Sequence, residues 1–325
     1  MSERRPPEIA LIGAGSEAGK ETLKILEDRL PDCRVSSFAR HSVGMPSAWG
    51  ETRPWSELEP GRFDFALLAT AAEDSAELIE RFLEESEGDV FDYSSLRRMD
   101  EDTAIVVPPV NAEVLDSERR VYAGPNCTSA ILTTVASPIN QEYQIERMSV
   151  STYQAVNGAG RAGVEELREQ TAARLHQRPV PEPKVFPREI AFQVIPGIPE
   201  EEEKLAREPK KILAEPTLDV QAHCARVPAL AGHVMSVEFR TIHAMESAHI
   251  EELLRGAEGV TYWSDRVPAA EDAVGQDDVF VGDLEIDPAD PRAGSFWVVG
   301  DNLRRGAALN GVESIEKLLQ LAEQE

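Results

Sequence analysis

The amino-terminal third of the sequence alternates short apolar segments with helical patterns, and this alternation constrains the fold more than any other feature. Helical patterns follow the first and third apolar segments, at residues 17–30 and 74–84. Strands that alternate with helices build a parallel sheet with helices on both faces. The sequence therefore predicts a doubly wound, mostly parallel α/β domain. Its predicted strands are residues 9–12, 34–38, 65–70, 90–92, 105–107 and 120–123.

A glycine-rich turn follows the first predicted strand and leads directly into a helix. It reads Gly13-Ala14-Gly15-Ser16-Glu17-Ala18-Gly19. Strand, glycine turn and helix are the setting in which backbone amides hold a dinucleotide pyrophosphate. The spacing G-x-G-x-x-x-G departs from the usual G-x-G-x-x-G, and an ordinary strand-to-helix turn is the alternative. The candidate cofactor ligands in this turn are Gly13, Gly15, Ser16 and Gly19.

The second predicted strand ends without an acidic residue. NAD sites carry an Asp or Glu there for the ribose hydroxyls. Arg40 and Ser42 occupy this region instead and would suit a 2′-phosphate. The sequence therefore favours NADP over NAD.

The second half of the chain has a different pattern of predicted elements, with several strands and few intervening helices. A charged helix is predicted at 200–211, and a helical tail at 302–325 is expected to pack back on the first domain. This pattern predicts an α+β domain with a large sheet. Its predicted strands are residues 147–156, a pair at 220–227 and 234–243, then 279–282 and 295–299.

The charge balance excludes two classes of partner. Lys and Arg number 33 against 59 Asp and Glu, which gives 33 − 59 = −26. Such a surface repels nucleic acid and anionic membranes, so neither is expected as a partner. A solvated acidic coat, as in proteins adapted to high salt, is the simplest interpretation.

Cysteine usage and the absence of long apolar runs predict the compartment. Cys33, Cys127 and Cys224 are the only cysteines, and none lies in a zinc-type spacing. They cannot all pair, so a reducing compartment and no metal site are expected. No signal-peptide core or membrane-length apolar run is visible, so we expect a cytoplasmic protein.

One cysteine stands out by its surroundings. Cys127 follows Pro125-Asn126 and precedes an apolar run long enough to form a helix. At a helix N-terminus the positive end of the dipole favours the thiolate, which is the nucleophile that acyl chemistry needs. Neighbouring backbone amides could hold an oxyanion. A buried structural cysteine is the alternative.

Several motifs are spread along nearly the whole chain. The most specific are Pro125-Asn126-Cys127-Thr128, Ser151-Thr152-Tyr153-Gln154-Ala155-Val156-Asn157-Gly158-Ala159-Gly160, Arg226-Val227-Pro228 with Gly232-His233, and Asp301-Asn302-Leu303-Arg304-Arg305-Gly306-Ala307-Ala308-Leu309-Asn310. Weaker motifs lie at residues 39–44, 95–99 and 106–111. In this order along the chain, these motifs resemble the aspartate-β-semialdehyde dehydrogenase family.

The resemblance implies a role for each matching residue. Cys127 would be the acylated nucleophile, His233 the general acid and base, and Gln154 the side chain that orients the substrate. The remaining implied ligands contact the substrate or the cofactor. They are Arg226 for the α-carboxylate, Glu201 for the α-ammonium, Arg98 and Lys204 for the phosphate, Asn126 for the substrate and Asn302 for the cofactor.

The resemblance also implies a complete function. It is the NADPH-dependent reductive dephosphorylation of L-aspartyl-4-phosphate to L-aspartate 4-semialdehyde in lysine, methionine and threonine biosynthesis, by a homodimer. The implied fold is glyceraldehyde-3-phosphate-dehydrogenase-like, with a Rossmann-type NADP-binding domain (residues 1–126 plus 302–325) and an α+β catalytic and dimerisation domain (127–301).

Two alternatives stay open. One is a reductase of another acyl phosphate, such as N-acetylglutamyl phosphate. The other is a non-catalytic paralogue that acts in binding or assembly. The altered glycine turn and Ala69-Thr70-Ala71-Ala72, where the family has Ser-Ala-Gly-Gly, favour the paralogue. The intact Cys127, Gln154, Arg226 and His233 oppose it.

Overall fold

The computed structural model describes residues 5–115 and 119–324 and divides the chain into two compact units. The first unit runs through Pro125 and resumes at Ala307. The second unit is Asn126–Gly306. The carboxy-terminal segment from Ala307 onward therefore belongs with the first unit.

The first unit is built on a parallel sheet with the strand order β5-β2-β1-β6-β7-β9-β8. Every pairing described in this sheet is parallel. β3 and β4 pair with each other outside it. The short strands β3, β4 and β5 are not predicted from the sequence, because a strand of two residues is too short to show an alternating apolar pattern. The bounds are β1 (Glu8–Ile12), β2 (Arg34–Ala39), β3 (Pro46–Ser47), β4 (Gly50–Glu51), β5 (Arg53–Pro54), β6 (Phe65–Leu68), β7 (Asp89–Asp92), β8 (Ala104–Ile105) and β9 (Val121–Ala123).

The second unit is built on a mixed sheet with the strand order β11-β12-β10-β13-β16-β15-β14. The strands predicted as a pair at 220–227 and 234–243 do not pair with each other. They flank the long central strand β10, one parallel to it and one antiparallel. The bounds are β10 (Ile145–Gln154), β11 (Ile195–Pro196), β12 (Asp219–Arg226), β13 (His233–Thr241), β14 (Val260–Trp263), β15 (Val279–Ile286) and β16 (Ala293–Gly300).

Helices pack on these sheets through apolar faces. α5 begins at Gly160, directly after a short 3₁₀ turn at Val156–Ala159. The bounds are α1 (Glu17–Arg29), α2 (Ala72–Glu85), α3 (Pro108–Asn111), α4 (Cys127–Tyr143), α5 (Gly160–Leu175), α6 (Glu201–Ile212), α7 (Ser247–Gly256), α8 (Ala270–Ala273) and α9 (Leu309–Gln324).

Packing contacts hold one helix in each unit in place. α9 lies against α1, where Arg29 pairs with Glu316 at 2.7 Å. α4 is apolar along its length and is buried in the core of the second unit, with Ile131 and Val135 fully covered. Burial of such side chains contributes about 1.5–3 kcal/mol each, so the start of α4 is firmly anchored.

The central strand β10 separates a covered face from an open one. Met148 and Val150 point into the core, whereas Arg147 and Tyr153 point to the opposite face. This alternation follows from the two-residue period of a strand. Tyr153 stacks on Trp297 there, with ring centroids 6.0 Å apart. Across residues 5–115 and 119–324, we find no helix with the length and apolar character that a membrane span requires.

Candidate active site

Cys127 is the first residue of α4, as the sequence predicts. Asn126 is the N-cap residue, and its backbone is extended with φ −63° and ψ 146°. Its side-chain Oδ1 accepts hydrogen bonds from the backbone N–H of Thr128 at 3.1 Å and from the Thr128 hydroxyl at 2.6 Å. Side-chain capping of this kind fixes the entry of the chain into the helix. The thiol is therefore held at a helix N-terminus, and Cys127 is partly exposed.

Glu201 connects several of the predicted site residues. Its buried carboxylate accepts hydrogen bonds from Asn126 Nδ2 at 3.1 Å and from Gln154 Nε2 at 3.2 Å. Lys204 Nζ lies 3.3 Å from the same group. The fold thus brings Asn126, Gln154, Glu201 and Lys204 into one hydrogen-bonded cluster.

The four consecutive glutamates at 200–203 differ in their surroundings. Glu200 and Glu203 are solvent-facing, with side chains 75% and 66% exposed. Glu202 accepts the backbone N–H of Cys224 at 3.1 Å. Within this run, Glu201 is the glutamate that bonds to Asn126 and Gln154, while Glu200 lies 3.6 Å from Lys204 Nζ.

Glu208 is a residue of this region that sequence reasoning misses. It lies two turns further along α6, it is 2% exposed, and its Oε2 accepts the backbone N–H of Asn126 at 2.7 Å. A carboxylate with so little exposure requires hydrogen-bond donors. Glu208 therefore holds the backbone of the residue that precedes the nucleophile.

We expect Glu208→Leu to destabilise the start of α4. The Asn126 N–H would lose its acceptor in a buried setting, which costs about 1–3 kcal/mol of unfolding free energy. Glu208→Gln keeps an oxygen and should lose less. Urea unfolding of both variants tests this, with the exposed Glu203→Leu on the same helix as control. Equal stability of Glu208→Leu and the parent would contradict it.

Arg226 ends β12 and is nearly fully buried. Its Nη1 donates to the carbonyl oxygen of Ala155 at 2.7 Å. Burial lowers the pKa of Arg226 from its ordinary value, while the electrostatic influence of Cys127 and Glu201 acts in the opposite direction. A cation beside these groups stabilises a thiolate and can receive a carboxylate.

His233 opens β13 and is fully buried. Its Nδ1 accepts the backbone N–H of Ala155 at 3.2 Å, so the neutral ring carries its proton on Nε2. Among residues 5–115 and 119–324, Nε2 has no hydrogen-bond partner. Burial, reinforced by Arg226, lowers the pKa of His233 to about 3. The ring is therefore neutral at ordinary pH, and its Nε2–H is a hydrogen-bond donor.

This depressed pKa has a consequence for stability. Below about pH 6.5 the unfolded chain binds a proton that the folded protein excludes at His233, so stability falls as the pH drops. The expected slope is up to about 1.4 kcal/mol per pH unit from this side chain. We expect His233→Gln to lose less unfolding free energy than the parent between neutral and mildly acidic pH. A urea series across this range measures it, with the exposed His176→Gln as control, and identical slopes in His233→Gln and parent would contradict it.

Two glycines bring backbone close to the predicted catalytic side chains. A Cβ on Gly158 would come within 3.0 Å of Arg226 Nη1 and 3.5 Å of His233 Nε2. A Cβ on Gly306 would come within 2.8 Å of the Cβ of Cys127. Both glycines lie inside the family motifs, but the sequence does not reveal which atoms they leave room for.

The other predicted ligands hold backbone groups. Arg98, in the first unit, donates through Nε to the carbonyl of Gly124 at 2.8 Å and through Nη2 to that of Tyr93 at 3.0 Å. Asn302, in the second unit, accepts the backbone N–H of Gly232 at 3.2 Å. Asn302 thus supports the residue that immediately precedes His233.

The glycine turn of the first unit lies at the end of β1. The N–H groups of Gly13 and Ala14 donate to the carbonyl of Phe38 at 2.8 and 3.2 Å. Gly13 has a φ of +89°, and a Cβ there would come within 2.3 Å of the Ala69 carbonyl oxygen. Only glycine meets both conditions without strain.

The turn leads into the N-terminus of α1. Ser16 caps the helix by accepting the N–H of Gly19 at 3.0 Å, and its hydroxyl donates to the Gly13 carbonyl at 2.9 Å. Glu17 pairs with Lys20 at 2.6 Å, which offsets its charge in the first turn. A helix N-terminus after a parallel strand and a tight glycine turn fits the pyrophosphate of a dinucleotide.

The end of β2 lies beside this turn. A Cβ on Gly15 would come within 2.1 Å of Ser42 Oγ, so the two segments are in close contact. Arg40 Nη2 lies 2.7 Å from Asp74 Oδ1, and its guanidinium carbon lies 4.6 Å from the centre of the Trp55 ring. Arginine and serine at this position fit a 2′-phosphate, with a carboxylate as immediate neighbour.

Comparison with known proteins defines the class. Residues 8–118 match the family described as "Semialdehyde dehydrogenase, NAD binding domain", and residues 137–305 match "Semialdehyde dehydrogenase, dimerisation domain". Both halves of the fold therefore belong to semialdehyde dehydrogenases, which are oxidoreductases.

Relatives narrow the class further. The aspartate-semialdehyde dehydrogenases of Bacillus subtilis and Aquifex aeolicus are 35% and 34% identical, over 96% of this chain and 97% and 98% of theirs. The crystal structure of aspartate semialdehyde dehydrogenase II from Vibrio cholerae superposes with a TM-score of 0.93 at 31% identity, covering 97% of this chain and 99% of that one. The chain belongs to the aspartate-β-semialdehyde dehydrogenase family. The resemblance and the fold class predicted from the sequence are confirmed.

Proposed function

We propose that this protein is an aspartate-semialdehyde dehydrogenase that reduces L-aspartyl-4-phosphate to L-aspartate 4-semialdehyde and phosphate through a thioester on Cys127. One observation carries the proposal. Cys127 begins a capped, anchored helix, and its N-cap Asn126 belongs to the same hydrogen-bonded cluster as Gln154 and Glu201. The reaction serves lysine, methionine and threonine biosynthesis.

The thiolate of Cys127 attacks the carbonyl carbon of the acyl phosphate, and phosphate leaves. NADPH held by the glycine turn and by Arg40 with Ser42 would supply the hydride that reduces the resulting thioester. As the general acid and base of the site, His233 holds its Nε2–H against the oxygen that gains charge, and Cys127 leaves as thiolate when the aldehyde forms. The neutral ring suits this role, because its Nε2–H is a hydrogen-bond donor that carries no net charge.

The substrate is held by charges matched to its groups. Arg226 takes the α-carboxylate through its fork of N–H donors, and Glu201 takes the α-ammonium. Arg98 and Lys204 take the phosphate. Gln154 and Asn126, both bonded to Glu201, orient the reacting carbonyl.

Substitutions on α6 test these roles. We expect Lys204→Ala to raise the KM for phosphate in the reverse reaction, because the cationic phosphate ligand is lost. Glu201→Ala should raise the KM for aspartate semialdehyde. The exposed Glu203→Ala is the matched control and should match the parent. If all three variants share the parent's constants, α6 takes no part in substrate binding.

The cofactor of the first unit is NADP in this proposal. Gly13, Gly15, Ser16 and Gly19 form the turn for the pyrophosphate, and Arg40 with Ser42 suit the 2′-phosphate. An aspartate semialdehyde dehydrogenase from Candida albicans, crystallised with NADP, shares this fold at 21% identity and a TM-score of 0.75. Asn302, next to the His233 strand, completes the predicted set of cofactor ligands.

The second unit also forms a homodimer in this proposal, and the protein is cytoplasmic. The open face of its sheet carries the Tyr153–Trp297 stack and a groove of about 880 Å³ lined by Arg147, Glu238 and Arg240. An exposed sheet face with aromatic and charged side chains is a surface that a second copy can cover. Light scattering should give twice the mass of the 35.8 kDa chain.

One assay tests the activity against its alternatives. Reduction of NADP⁺ with aspartate semialdehyde should depend on phosphate and should exceed that with N-acetylglutamate semialdehyde. The measurement is made at low and high salt, because a net charge of −26 makes salt a variable of stability. Absence of turnover under all conditions would favour a non-catalytic paralogue, and preference for the acetylated substrate would favour the other reductase.

A further inference from the structure

The end of β2 brings together an arginine and a carboxylate from different parts of the chain. Arg40 follows β2, whereas Asp74 lies in the first turn of α2, which follows β6. β2 and β6 both flank β1 in the parallel sheet, so their carboxyl ends lie at one edge. The Arg40 Nη2 to Asp74 Oδ1 distance is 2.7 Å.

The pair is ordered but accessible. The guanidinium of Arg40 lies over the Trp55 ring at 4.6 Å, which fixes its plane through a cation–π contact. The side chains of Arg40 and Asp74 are 51% and 26% exposed. A ligand can therefore reach the guanidinium, but it meets the carboxylate of Asp74 there.

The two residues match opposite cofactor preferences. In dinucleotide-binding folds a carboxylate at this edge binds the ribose 2′-hydroxyl of NAD, and an arginine accommodates the 2′-phosphate of NADP. The preference for NADP predicted from the sequence depends on the absence of an acidic residue at the end of β2. The fold supplies that missing carboxylate from α2.

We propose that Asp74 sets the cofactor selectivity of this protein by opposing the binding of a 2′-phosphate at Arg40. This inference rests on the proposed cofactor role of the first unit and deepens it. The Asp74 carboxylate occupies a guanidinium donor and repels a phosphate dianion brought to the same site. It can also accept a hydrogen bond from an unphosphorylated ribose. The protein therefore discriminates less between NADPH and NADH than it would if Arg40 had no carboxylate beside it.

Direct binding tests the proposal without turnover. The dissociation constants for NADPH and NADH are measured by fluorescence titration at low ionic strength in the absence of substrate, for the parent and Asp74→Asn. The control is Glu73→Gln, the exposed neighbouring acid in the first turn of α2. We expect Asp74→Asn to bind NADPH roughly three- to tenfold more tightly than the parent does. This range corresponds to the loss of one exposed ion pair, which frees Arg40, together with the loss of one charge repulsion on the 2′-phosphate. NADH should bind equally well or more weakly, and Glu73→Gln should match the parent for both.

A second background isolates the coupling. In Arg40→Ala, adding Asp74→Asn should change the NADPH to NADH ratio of dissociation constants far less than it does in the parent. An unchanged ratio in Asp74→Asn, or the same change with and without Arg40, would overturn the proposal. Failure of the proposed function looks different: both cofactors would bind as described, and phosphate-dependent turnover would be absent.

Discussion

Cys127→Ala is expected to lose turnover by a factor on the order of 10⁴ or more while remaining folded, because no other side chain can form the thioester. Cys127 is partly exposed at the N-terminus of α4. Truncating its side chain to alanine removes little buried apolar surface. The reverse reaction with aspartate semialdehyde and phosphate gives the rate, and thermal unfolding checks the fold.

The other cysteines provide the controls. Burial raises the pKa of both the Cys33 and the Cys224 thiol to about 11, so neither is a competing nucleophile. Cys33→Ala and Cys224→Ala should keep parental turnover per folded molecule, and iodoacetamide should label Cys127 before either. Substantial activity in Cys127→Ala would refute the thioester mechanism.

Gly306→Ala is expected to reduce kcat by about 100-fold, through displacement of the nucleophile. The new Cβ would stand 2.8 Å from the Cβ of Cys127, closer than real Cβ atoms approach, and 3.2 Å from its Cα. The start of α4 must therefore shift, and misplacement by about 1 Å costs about that factor in rate. Steady-state kinetics and the rate of alkylation at Cys127 both report the shift.

Gly256→Ala is the matched control, since a Cβ on Gly256 meets no atom within 4 Å. It should have parental kinetics. If Gly306→Ala matched the parent in both kcat and alkylation rate, the close contact between these two backbones would play no part in positioning the thiol.

The elements that can be predicted from the sequence are those whose signal lies in neighbouring residues. The first sheet follows from apolar runs separated by helical periods, and the glycine turn follows from a position that needs positive φ. Cys127 at the start of α4 follows from Asn126 as an N-cap before an apolar run. Each of these signals lies within a few residues of the feature that it predicts.

The features that the sequence does not reveal depend on contacts between distant segments. Glu208 and Asn126 lie 82 residues apart in the chain, and nothing near Glu208 marks it as buried. Asp74 reaches Arg40 only because β2 and β6 flank the same strand. The clearance that Gly306 gives Cys127 likewise appears only once the chain is folded.

The acyl-enzyme itself tests the central claim most directly. The protein is mixed with aspartate semialdehyde and NADP⁺ without phosphate, quenched in acid, and analysed by intact mass and peptide mapping. Without phosphate as acceptor, the aspartyl thioester should accumulate on the peptide that contains Cys127, and added phosphate should discharge it. No adduct on Cys127 under these conditions, with NADP⁺ nevertheless reduced, would contradict the account.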